Sequence, residues 1–203
     1  MIPVTAAPEP AGFDATVRQR GLRFLAKTPA PVSWRYREYW TAAIPDLRSA
    51  YSSTCCYSAE WIPSVTGNSS VDHFVPRTAR PDLAYEWSNF RLAAARMNSR
   101  KGSKQGILDP FTIGDEWFAL DFPSLLVKRG GALPVQFQAA FYLTVATLHL
   151  NDELSVESRM RWLRGYCEYR YTFDYLMESA PFVARELERQ GLIEAIRDMM
   201  GFA

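Results

Sequence analysis

Apolar positions 17, 22, 24 and 25 recur among basic residues between 13 and 27, a spacing that predicts a short helix ended by Thr28-Pro29-Ala30-Pro31. From Trp34 onward Tyr36, Trp40, Ala43, Leu47 and Tyr51 line one side of a second helix, which Pro45 should kink. That aromatic-rich side suits either a packing face or a stacking platform for bases. Residues 54–62 have strand character up to Pro63, and the turn-forming run 66–70 leads into a second strand candidate at 70–75. Together they predict a hairpin that delivers residues 72 and 73 at a strand end. Residues 76–88 form a loop punctuated by Pro76 and Pro81. Intrinsic propensity starts the next helix at Leu92, because Ala93-Ala94-Ala95 are strong formers. Alternation through 116–122 suggests a strand or extended strap, and Gly130-Gly131 marks a break. Helices are predicted over 134–150, 153–169, 173–179 and from Pro181 onward, with Ser179 as a cap and Gly191 splitting the last.

Composition narrows the class. Of 203 residues, 48% are hydrophobic and 22% charged, which excludes wholesale disorder and allows one sizeable core. A formal charge of +1 hides an asymmetry. Between 71 and 105 lie Arg77, Arg80, Arg91, Arg96, Arg100, Lys101 and Lys104, against Asp72, Asp82 and Glu86. Such a local excess suits a phosphate-facing surface, and equally a solvated face with counter-charges from elsewhere. Cys55, Cys56 and Cys167 make no disulfide framework and read as free thiols. No apolar run reaches the length of a membrane helix, and no secretory leader is visible, so the expected location is the cytoplasm and no membrane partner is expected.

The candidate chemistry clusters in one stretch. Val71-Asp72-His73-Phe74-Val75-Pro76 is followed by Trp87-Ser88-Asn89-Phe90 and then by Met97-Asn98-Ser99-Arg100-Lys101-Gly102. His73 is one of two histidines, the other being His149. The order Asp-His, Asn, then Asn-x-x-Lys resembles the HNH endonucleases, and the wording of residues 71–76 and 85–92 is similar to a bacterial branch of that group. The likeness covers roughly residues 51–111.

The resemblance implies an α+β fold in which a ββα-metal module sits inside a mainly α-helical body. The segments would be 1–50 (helical), 51–111 (the nuclease module) and 112–203 (helical), forming one compact unit. It makes residues 89–92 the second strand, with the helix beginning near Ala95, and this version is preferred over propensity. The implied activity is hydrolysis of DNA phosphodiester bonds with Mg²⁺ or Mn²⁺, in restriction or phage defence. Asp72 and Asn98 offer the carboxylate and amide oxygens that a hard cation prefers. Neutral His73 suits a general base near pH 7. Neighbouring side chains on a regular strand point to opposite faces, so the strand must end or twist for both 72 and 73 to serve one site. Asn89 takes the bracing position of the family pattern. Asn98 and Lys101 share a helix face, which puts Lys101 on a phosphate oxygen. Arg77, Arg96, Arg100 and Lys104 are the expected nucleic-acid contacts.

Two departures qualify the likeness. Many relatives carry two Cys-x-x-Cys pairs around a structural zinc; here Cys55-Cys56 has no second pair, so no structural zinc is expected. Asn98 stands where many relatives have His, which favours Mg²⁺ or Mn²⁺ over softer metals. A second reading is a nucleic-acid-binding subunit of a defence complex, silent as a nuclease until a partner such as an ATPase joins it. A toxin-like effector is a third.

Overall fold

The computed structural model describes residues 1–201 and is a mixed α+β fold, 43% helical and 10% strand. The chain divides into two compact units: one formed by 5–56 and 62–105, the other by 1–4, 57–61 and 106 onward. The expected boundaries near 50 and 111 do not coincide with this division, because residues 5–50 cluster with the stretch that carries the motif. The last two residues of the expected third segment lie outside the described residues.

In the first unit, a π-helical turn at Asp14–Arg18 runs into α1 (Gln19–Leu25). A 3₁₀ turn at Tyr39–Ala43 leads into α2 (Ile44–Ala50). Pro45 therefore starts a helix instead of kinking one: in the first turn its missing N–H has no partner to lose. Residues 34–38 stay outside the helix, with Tyr36 in the left-handed region at φ 63°. The expected strand at 54–62 is absent. Ser52 and Ser53 turn the chain just before it and Ala59 takes positive φ within it, which leaves only isolated bridges at Thr54 and Trp61.

Strand β1 (Ser69–His73) pairs instead with β2 (Phe90–Ala94), antiparallel, from Ser69 opposite Ala94 to His73 opposite Phe90. Helix α3 (Ala95–Lys101) follows β2 directly. Ala93 and Ala94 thus lie in a strand despite their helix propensity, because pairing with Ser70 and Ser69 satisfies their backbone. The core below this sheet is aromatic. Phe13 meets Trp87 and Phe90 edge-on, while Trp40 meets Tyr85 and His73. Of the face expected over 34–51, Trp34, Trp40, Ala43 and Leu47 are buried packing residues, whereas Tyr36 is exposed. Gly21 is required by this packing, since a Cβ there would fall 2.0 Å from the Tyr85 ring.

In the second unit, β3 (Phe118–Asp121) and β4 (Leu126–Arg129) form a hairpin whose second strand the alternation did not reveal. Five helices follow: α4 (Gln138–Thr147), α5 (Glu153–Cys167), α6 (Phe173–Ser179), α7 (Pro181–Arg189) and α8 (Ile196–Met199). Asp152 and Thr172 cap α5 and α6 through their side chains. Ser179 does not cap α7; it ends α6, and Ala180 holds the cap position without a side-chain bond. Gly191, at φ 67°, ends the long C-terminal pattern. Buried Arg159 donates to the carbonyls of Leu125 and Leu150, so this arginine ties the unit together from within.

Candidate active site

β1 stops at His73, and the strand end gives Asp72 and His73 one shared cleft despite their adjacent positions. That cleft, about 420 Å³, is lined on one side by Asp72, His73 and Arg77 and on the other by Asn98 and Ser99 of α3. Both sides are fixed locally. β1 and β2 hold residues 72 and 73, and the immediate turn from β2 into α3 sets Asn98 beside β1.

His73 is 4% exposed and wedged edge-on between Trp40 and Phe90, with ring centroids 4.8 and 5.3 Å away. Its Nε2 lies 2.9 Å from the carbonyl oxygen of Ala84. A carbonyl only accepts, so Nε2 must carry the proton and Nδ1 is the basic nitrogen of the neutral ring. Burial lowers the imidazole pKa to about 4, and the positive charges of Arg77 and Lys101 act in the same direction. The ring is therefore neutral throughout the neutral pH range, the form that accepts a proton.

Asp72 is 1% exposed, and its Oδ1 accepts from Lys101 Nζ at 3.0 Å. Lys101 is fully buried and also donates to the His73 carbonyl at 2.7 Å. Here the structure departs from the sequence expectation. An ammonium enclosed on both sides has no route to a phosphate oxygen; Lys101 supports the site from below. Helical spacing placed it on the Asn98 side of α3 but gave no sign of depth.

Asn98 donates through Nδ2 to Ser70 Oγ and to the Val71 carbonyl, both at 3.1 Å. Those bonds fix the amide so that Oδ1 is the atom left to accept. Asn89 lies apart from the cleft lining. Its Oδ1 accepts from Val75 N at 2.8 Å, and its Nδ2 donates to the carbonyls of Val75 and Leu83 at 3.0 and 3.1 Å. One side chain thus ties both ends of the loop that carries Arg77 and, one residue on, the Ala84 carbonyl.

Of the expected phosphate contacts, Arg77 alone lines the cleft. Its guanidinium stacks over Trp40 and Trp34, 5.0 and 5.7 Å from the ring centroids, and its Nε is buried without a partner. Desolvation lowers its pKa. Arg96 and Lys104 are exposed and Arg100 half-buried, all on or just after α3, and none of them lines the cleft. Sequence reasoning missed Ser70, Ser99 and Ser103, which do line it; serines carry no pattern that would single them out.

The donor chemistry fits a hard divalent cation: a carboxylate and an amide oxygen face one cleft, and Mg²⁺ keeps water and phosphate in its remaining positions. No three His, Cys, Asp or Glu side chains gather into a group among the described residues, so any ion held here would rest on few protein ligands. Cys55 is buried, and its sulfur accepts from Ala94 N at 3.3 Å. No protein-family model matches the chain, and no curated protein matches it.

Proposed function

We propose that the chain is a metal-dependent endonuclease of the HNH type that hydrolyses DNA phosphodiester bonds. One observation carries this reading: an imidazole with Nδ1 as its basic nitrogen shares a cleft with a carboxylate and a fixed amide oxygen. In the mechanism, His73 Nδ1 takes the proton from an attacking water, and the Ala84 carbonyl holds the ring in the tautomer that permits this. Asp72 and Asn98 are the residues that would hold Mg²⁺ or Mn²⁺, which supplies charge neutralisation at the phosphate and at the departing oxygen. Arg77, poised on two indole rings, offers a guanidinium to the phosphate. Asn89 positions the loop that presents both Arg77 and the Ala84 carbonyl.

The test is plasmid cleavage across Mg²⁺ and Mn²⁺ with the wild type and with His73→Gln, folding being checked by circular dichroism. Loss of the base should lower the rate about 10²- to 10⁴-fold. Undiminished cleavage by folded His73→Gln would refute the assignment.

The ion pair of Lys101 with Asp72 favours a second reading, in which the chain binds nucleic acid for a defence complex and stays silent until a partner joins. An ammonium already on Oδ1 competes with a metal ion for the same carboxylate. This reading expects salt-sensitive DNA binding by the protein alone, with cleavage only on reconstitution with a partner such as an ATPase.

A further inference from the structure

A second concave surface of the same unit, about 340 Å³, is lined by Arg20, Arg23, Phe24, Lys27, Arg37 and Tyr39. Arg20 and Arg23 stand one turn apart on α1, Lys27 follows just beyond the helix end, and all four cations are exposed. None of them has a carboxylate partner among the described residues. Arg18, two residues before Arg20, is the opposite case: Glu9, Asp14 and Glu86 all close on it. Three carboxylates are thus gathered on one arginine, while four neighbouring cations share a groove with no ion pair among the described residues, none even to the exposed Glu38 between Arg37 and Tyr39. Their mutual repulsion is relieved by a polyanion in that groove.

The aromatic floor supports the same conclusion. The Arg20 guanidinium lies 4.6 Å from the Tyr39 ring centroid, and that of Arg37 lies 5.4 Å from the Phe24 ring centroid. Stacking of this kind orients the guanidinium and leaves in-plane N–H donors available to an anion, apart from the Arg37 Nη1 donor that the Tyr36 carbonyl accepts at 2.9 Å. At about 1.5 Å of rise per residue the row from Arg20 to Lys27 is roughly 10 Å long, about three nucleotide steps at 3.4 Å each.

The groove is also near His73. Tyr39 meets Tyr85 at 5.9 Å, Tyr85 meets Trp40 at 5.7 Å, and Trp40 meets His73 at 4.8 Å between ring centroids. Those three steps place the Tyr39 ring no farther from the His73 ring than about five nucleotide steps. We propose that this groove is a second site for nucleic-acid phosphates, holding the strand on one side of the phosphate that meets His73. The identity of the polyanion rests on the nuclease reading; the site itself does not.

The experiment measures binding of a 30-base-pair duplex to the full-length His73→Gln protein in EDTA, across a series of NaCl concentrations. It compares that protein with one also carrying Arg20→Gln, Arg23→Gln and Lys27→Gln, and with a control carrying Lys128→Gln, Arg129→Gln and Arg161→Gln. Each lost phosphate contact lowers the slope of log affinity against log salt by about 0.9. The groove variant should lose two to three such contacts and bind at least tenfold more weakly, while the control stays unchanged. An unchanged slope in the groove variant would overturn the proposal. So would an equal loss in the control, which would mark a general charge effect, or equally tight groove-dependent binding of polyglutamate or anionic vesicles. Wild-type cleavage with Mg²⁺ separates the two readings. Cleavage with an unchanged slope refutes the groove alone, whereas groove-dependent binding without cleavage leaves the groove standing and refutes a nuclease active without a partner.

Discussion

Burial of His73, with the nearby charges of Arg77 and Lys101, penalises its charged form more than the Ala84 carbonyl hydrogen bond favours it. In the unfolded chain the imidazole takes a proton near pH 6.5, but in the folded protein only near pH 4. Between those values the unfolded state binds more protons, so stability is full above about pH 6.5 and falls as the pH drops toward 4. The expected loss for the metal-free protein is on the order of 3 kcal/mol, read from urea midpoints at pH 7 and pH 4.5. In His73→Gln this part of the pH dependence should disappear. Lys101 makes a sharper case. Removing its ammonium in Lys101→Met strands the buried Asp72 carboxylate, at an expected cost of about 3–5 kcal/mol. Adding Asp72→Asn to that variant should restore more than half of the loss in the same denaturation assay. The types and spacing of Asp72, His73 and Asn98 were legible in the sequence. The depth of Lys101 was not, because a three-residue spacing on a helix states a face and says nothing about what covers it.

Among elements, the loop between β1 and β2 is closely tied, with short 3₁₀ turns at Pro81–Leu83 and Trp87–Asn89. Asn89 makes three hydrogen bonds to its backbone, so Asn89→Ala should cost about 2–3 kcal/mol and speed amide exchange over residues 75–84. Slower cleavage should accompany it if the Ala84 carbonyl orients the base. At α1, Gly21→Ala drives a methyl into the Tyr85 ring, with an expected loss of about 1–3 kcal/mol in thermal or urea unfolding. The second strand, expected at 89–92 and found at Phe90–Ala94, was legible only through the order of motif residues, since local propensity favours a helix there and cross-strand pairing overrides it. The misassigned stretch 54–62 shows the converse. Its β-branched and aromatic residues fit a strand, but a positive φ at Ala59 bends the backbone out of one, and no short-range pattern announces it.

For the whole molecule, a net charge of +1 conceals how its cations are used. Arg159 and Lys101 are buried and bonded to carbonyls or a carboxylate; Arg77 stands on indole rings in the cleft; Arg20, Arg23, Lys27 and Arg37 remain outside without a carboxylate partner among the described residues. Counting charges along the chain separates none of these roles, because each depends on what the fold brings alongside. The α+β class and most helices were readable from periodicity and punctuation, whereas the division into two units depends on contacts distant in sequence. If the cleft holds Mg²⁺ or Mn²⁺, global stability should rise with metal concentration, by about 2.7 kcal/mol at a hundredfold excess over the dissociation constant. Thermal shift with and without EDTA checks this, and Asn98→Ala should flatten the response.

The ammonium planted beneath Asp72 also bears on how the protein is assembled. An enclosed anion needs a positive neighbour from the moment the chain closes around it, and Lys101 is that neighbour by birth. Folding should therefore proceed in a medium stripped of divalent ions, and, if the proposed metal-dependent cleavage holds, a chelator should leave behind a complete molecule whose activity returns with the metal.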